Sequence, residues 1–141
     1  MTLEEAETFV RRVIQDDDFK GLVSIYIFGS VADGRAHRES DLDVGVLLDR
    51  RFYPDEKSRF EQRLLLSTAL SRIAGPAADV VILNDAPPLL GRAVVTRGKR
   101  VICRNEDLDH AYVRDIQLMA ADLEPWLQRM WRIKLEAMER R

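Results

Sequence analysis

The sequence predicts an α/β (α+β) domain built on one central sheet, and three observations predict it. Short β-branched runs, LVSIYIF, LDVGVLL, ADVVIL and RVIC, alternate with longer segments of helical periodicity. Gly and Pro punctuate the junctions, at Gly75-Pro76, Pro87-Pro88 and Gly98. A length of 141 residues suits one domain with a real core. The chain 1–141 is therefore expected to be a single domain, with a core over about residues 20–105 and a helical segment over about 106–141.

The elements follow in order. Leu3, Ala6, Phe9, Val10, Val13 and Ile14 recur at helical spacing, and the early glutamates suit a helix N-terminus. DDDFKG breaks that pattern, and LVSIYIF reads as a buried strand. SVADG is expected to form a turn or the first turn of a short helix, and a second strand is expected from Asp41 to Leu48. Pro54 with Asp55 and Glu56 behind it marks a helix start, Phe60, Leu64, Leu66, Leu70 and Ile73 form its apolar stripe, and Gly75-Pro76 ends it. The third strand spans Ala78 to Leu83, a short helix runs from Pro87-Pro88 to about Arg97, and Gly98 caps it before the fourth strand. Asn105 caps a last helix whose stripe is Tyr112, Ile116, Met119, Leu123, Trp126 and Met130, and Pro125 is expected to kink or split it.

Composition excludes several classes of function. Apolar residues make up 46% and charged residues 33%, and no apolar run approaches the roughly 20 residues of a membrane span. The acidic start MTLEEAETFV is unlike a signal peptide, so a cytoplasmic location is expected. Cys103 is the only cysteine, and His37 and His110 are the only histidines. A metal would therefore be a hard ion held by carboxylates, Mg²⁺ or Mn²⁺. The net charge of −2 argues against a protein that grips a nucleic-acid backbone. The basic segment from Arg129 to Arg141 reads as a solvated helix end.

The chemistry gathers in FGSVADGRAHRESDLD, Phe28 to Asp43. Alternation along a strand puts Asp41, Asp43 and Gly45 on one face and Leu42, Val44, Val46 and Leu48 on the other. Two like charges so held call for a divalent cation, and Asp79 at the start of the third strand supplies a third carboxylate if the strands are neighbours. Gly29-Ser30, where the first strand ends, is a candidate phosphate cradle, because a turn there aims free amides outward with no side chain on Gly29 in the way.

Gly29-Ser30, Ala32, Gly34 and Ser40-Asp41-Leu42-Asp43 together resemble the signature of the minimal nucleotidyltransferases of the DNA polymerase β superfamily. The resemblance covers roughly Lys20 to Asn105. It implies a nucleotidyltransferase fold, a small mixed sheet of about four strands flanked by helices with a long C-terminal helical segment. It also implies Asp41, Asp43 and Asp79 as catalytic metal ligands, and Gly29, Ser30, Ser40 and Arg35 at the nucleotide. Short members of this family are antitoxins that move AMP from ATP to a tyrosine of a HEPN ribonuclease toxin, which makes such a toxin the expected partner. A non-catalytic antitoxin, and a transferase acting on a small molecule such as an aminoglycoside, are the other readings. The sequence departs from the signature at Asp33, where many members carry Arg, and Arg35 follows the Gly instead. Arg38 and Arg92 are further candidates for phosphate or base contact.

Overall fold

The computed structural model describes residues 1–16, 18–34, 42–73 and 78–140. The chain order is α1 (Leu3–Asp16), β1 (Leu22–Phe28), α2 (Gly29–Ala32), β2 (Leu42–Leu48), α3 (Glu56–Ile73), β3 (Ala78–Ile82), α4 (Pro88–Arg97), β4 (Lys99–Cys103) and α5 (Glu106–Glu139). A single 3₁₀ turn, Leu83–Asp85, joins β3 to α4. The four strands form one mixed sheet in the order β3-β2-β1-β4. β1 is antiparallel to both β2 and β4, and β2 is parallel to β3.

Local chemistry explains the boundaries. Thr2 and Glu5 make a reciprocal capping box at α1: Glu5 N–H donates to Thr2 Oγ1 at 3.1 Å, and Thr2 N donates to Glu5 Oε2 at 3.3 Å. Asp55 accepts from Ser58 N–H at 2.6 Å and starts α3. Asn105 accepts from Leu108 N–H at 3.1 Å and caps α5 as expected. Asn84 closes the far end of β2 with two bonds, accepting from Leu48 N–H at 2.9 Å and donating to Leu48 O at 2.8 Å.

The sheet is covered on both faces. Ile25, Ile27, Val44, Val46, Val80 and Ile82 pack with Ala6, Val10 and Val13 of α1 and Leu66 and Leu70 of α3. Each fully buried Val, Ile or Leu among them stabilises the fold by about 1.5–3 kcal/mol. The other face is smaller: Tyr26, Leu47, Leu83 and Val94 form its core, with Val95, Leu108 and Tyr112 packed against them. Gly45 lies beneath α4, and a Cβ there would sit 2.8 Å from a Val94 methyl, so this glycine allows the helix its close seat on the sheet.

Two expectations are corrected. In α3 the inward line is Arg59, Leu66 and Leu70, whereas Phe60 and Leu64 are half exposed. The helix turns a line through Arg59 to the core, because that guanidinium finds a buried-side partner in Asp85, with bonds of 2.9 and 2.8 Å. The last helix is not split: α5 runs through Pro125 as one element of 34 residues. Its side chains around Pro125 are exposed, so water can satisfy the carbonyl that the missing N–H leaves free. The expected stop at Gly75-Pro76 lies outside the described residues.

Candidate active site

The site forms where β1 ends, β2 begins and β3 begins. Antiparallel pairing sets Phe28 opposite Asp43, and parallel pairing sets Asp43 beside Asp79. In-register neighbours on adjacent strands point to the same face, so the two carboxylates stand side by side, with strands about 4.8 Å apart. Asp43 is half-buried and Asp79 is exposed. The expected adjacency of the second and third strands is thus present, with the two aspartates at matched positions.

Gly29 follows Phe28 directly and has φ +74°, a left-handed conformation that favours glycine. A Cβ at Gly29 would overlap the Asp43 carboxylate. The turn and the carboxylate are therefore in contact, and only a residue without a side chain fits between them. Ser30 lies in the four-residue α2, half-buried, and Asp33 closes that turn with its N–H donating to Gly29 O at 3.0 Å. The side chain of Asp33 is exposed.

Gly29, Ser30, Asp43 and Asp79 are brought to one end of the sheet. Arg35, His37, Arg38, Ser40 and Asp41 lie outside the described residues. Among the described residues no group of three or more His, Cys, Asp or Glu is placed to hold a metal. Arg92 is elsewhere: its guanidinium pairs with Glu124 of α5 at 3.0 Å. His110 is an exposed helix residue.

Sequence reasoning missed the polar support beneath this face. Tyr26, two residues before Phe28 on β1, donates its hydroxyl to Asp109 Oδ1 at 2.8 Å, and Arg100 of β4 donates to Asp109 Oδ2 at 2.9 Å. Asp109 is buried and ties β1 and β4 to the first turns of α5. Burial first, and the bond to Asp109 second, raise the Tyr26 phenol well above its usual range. Burial likewise raises Tyr112 to about 12, and its hydroxyl donates to Leu83 O at 3.2 Å. The signal in the sequence was weak, since Asp109 sits among Glu106 and Asp107 in a helix start where acids are ordinary.

At this end of the sheet a positive-φ glycine turn meets one of two register-matched aspartates, a place where phosphate oxygens and carboxylates can be brought together. The chain belongs to the polymerase beta nucleotidyltransferase family, matching the family described as Polymerase beta, Nucleotidyltransferase over residues 11–107. It is 33% identical over 102 residues to the Protein adenylyltransferase MntA of Shewanella oneidensis, covering 72% of this chain and 69% of that protein. A crystal structure described as a toxin-antitoxin with AMP-PNP matches with a TM-score of 0.65 at 26% identity, over 89% of this chain and 98% of that one. A structure of a tri-AMPylated Shewanella oneidensis HEPN toxin in complex with MNT antitoxin matches with a TM-score of 0.61, over 92% of this chain and 99% of that one. Its identity is 22%, and it attests the fold alone.

Proposed function

We propose that this chain is the antitoxin of a HEPN/MNT toxin-antitoxin pair, acting in the cytoplasm as a Mg²⁺-dependent adenylyltransferase. It moves AMP from ATP to a tyrosine hydroxyl of its toxin and so silences it. The observation that carries this reading is the meeting of Gly29, Asp43 and Asp79 at one end of the sheet. The likeness to a protein adenylyltransferase and to a toxin-antitoxin structure with AMP-PNP supports the choice of acceptor class and nucleotide.

Asp43 and Asp79 are hard oxygen donors at matched positions on one face, a donor set that suits Mg²⁺ or Mn²⁺ rather than a thiolate or imidazole metal. Asp41, Asp43 and Asp79 would hold the ion. When bound, it neutralises charge on the triphosphate and lowers the pKa of the attacking hydroxyl.

The remaining work belongs to the chain's own groups. The bare α-carbon of Gly29 admits the phosphates close to the backbone, and Ser30 offers a hydroxyl beside them. Ser40 and Arg35 are assigned to the same nucleotide. Asp79, the more exposed carboxylate, faces the incoming hydroxyl and accepts its proton. The phenolic oxygen forms a bond to the α-phosphorus as the bond to the β-phosphate oxygen breaks, and pyrophosphate leaves. Tyrosine suits this attack because a phenol of pKa about 10 ionises far more readily than an aliphatic hydroxyl.

ATP labelled at its α-phosphate, incubated with Mg²⁺, this protein and its cognate toxin, tests the reading. The expected product is an AMP ester on a toxin tyrosine. Asp43→Asn is expected to lower the rate by a factor of about a thousand or more while circular dichroism stays unchanged. A tight complex with no adduct would instead favour neutralisation by binding alone.

A further inference from the structure

β3 is an edge strand: the sheet order ends with it, and among the described residues no strand pairs with its outer side. An edge strand can take up a further strand along its open side, and at the start of β3 Ala78 O accepts from Ser67 Oγ of α3 at 3.4 Å. The edge is set in a groove of about 910 Å³, lined by Val81 and Ile82 of β3, Phe60 and Arg63 of α3, and Pro87 and Leu90 beside and within α4. α3 forms one wall and α4 the other. Asp85, which also lines the groove, is pinned to Arg59 of α3, and this holds the α3 wall to the turn that follows β3.

Two large apolar side chains stand open on these walls, Phe60 with 50% of its surface exposed and Leu90 with 37%. The groove begins two residues from Asp79 on the same strand. A slot along a sheet edge, apolar at Phe60, Val81 and Leu90 and rimmed by charge at Asp55, Glu56, Lys57 and Arg63, that leads to the Asp79 carboxylate has the form of a site for an extended chain. Loose helices or small metabolites would leave the edge unpaired.

We infer that the acceptor protein presents its hydroxyl on an extended segment that adds to the outer edge of β3 as a fifth strand. This rests on the adenylylation reading above and specifies how the acceptor is held. Side chains of an added strand alternate between faces, so the reactive tyrosine must point to the face that carries Asp43 and Asp79. That face is the one under α4, since Gly45 shares it with Asp43 and meets Val94. The residue two positions from the tyrosine then lies beside Val81 and Leu90 and is apolar, while the intervening residue turns toward Phe60 and α3. The segment reads as tyrosine, any residue, apolar residue, in one chain direction or the other.

The test uses the 141-residue chain, its Phe60→Glu/Leu90→Glu variant and two acceptors, the cognate HEPN toxin and tyrosinamide, whose phenol has no flanking chain. Both substituted side chains are already part exposed, so the core is spared. Transfer to the toxin is expected to fall at least tenfold, with transfer to tyrosinamide and affinity for ATP unchanged. Equal transfer to the toxin by both proteins would overturn the inference. Hydrogen exchange on the wild-type complex is an arm independent of chemistry. Protection of amides within residues 79–82 is expected, and a complex that forms without it overturns strand addition. If wild-type protein adenylylates neither acceptor, the adenylylation reading fails, while the exchange arm still decides how the partner docks. Absence of any complex overturns both.

Discussion

Gly29 is the residue on which the site's geometry turns. Its left-handed φ alone makes a substitution cost about 1–2 kcal/mol, and a methyl group there also overlaps the Asp43 carboxylate. Gly29→Ala is therefore expected to lower stability by at least about 2 kcal/mol in chemical denaturation and to weaken ATP binding. The overlap is with one side chain, so it can be separated from the backbone cost. In an Asp43→Ala background the same Gly29→Ala change should cost clearly less, and a double-mutant cycle with no coupling would contradict the contact.

At the scale of elements, the supporting network of Tyr26, Asp109 and Arg100 gives the fold an alkaline weakness. The folded pKa values of Tyr26 and Tyr112 are raised, to about 12 for Tyr112. The unfolded chain gives up those protons first, near pH 10. Stability is then fully present below pH 10 and falls as pH rises through the folded values. Denaturant midpoints measured from pH 8 to 11.5 should decline above about 10. Tyr26→Phe should flatten part of that decline even as it lowers stability at neutral pH.

The same scale shows what was legible in the sequence. The four strands and most helices were, because β-branched runs and caps such as Asn105 act locally. The buried face of α3 was misread, since Phe60 and Leu64 fit the apolar period but Arg59, an apparent surface residue, holds the inward position through a partner 26 residues away. The pairing of Asp43 with Asp79 could be stated only as a condition, because strand adjacency is a long-range fact that neither segment carries. The left-handed turn at Gly29 and the Tyr26–Asp109 bond, which spans 83 residues, needed the fold itself.

For the whole molecule, α5 divides into a docked half and an outstanding one. Tyr112, Ile116 and Ala120 are inward or part buried, whereas from Pro125 to Arg140 every side chain but Leu127 is exposed. Trp126, Met130 and Trp131 thus contribute to surface and leave the sheet core untouched. Removing residues 125–141 is expected to shift the thermal midpoint by no more than a few degrees while far-ultraviolet helicity falls. A large drop in the midpoint would mean that this arm packs on the body. None of the described helices is long and apolar enough to cross a membrane, and the exposed tryptophans are too interspersed with charge for that purpose.

Asp79 lies exposed on an edge strand, where its charge is expected to have a consequence apart from the proposed chemistry. Two copies pairing antiparallel about Asp79 would bring these side chains together, and the like charges are expected to oppose the cross-chain pairing that bare sheet edges invite. Asp79→Asn would then remove a guard against clumping together with the proposed proton acceptor, and its lost activity would be tangled with lost solubility. Asp79→Lys separates the two, keeping a charge at the margin without a carboxylate. Light scattering on concentrated samples should show Asp79→Asn aggregating while Asp79→Lys stays dispersed, with both unable to transfer AMP. Even with transfer abolished, Asp79 is expected to keep protecting the chain from its own copies.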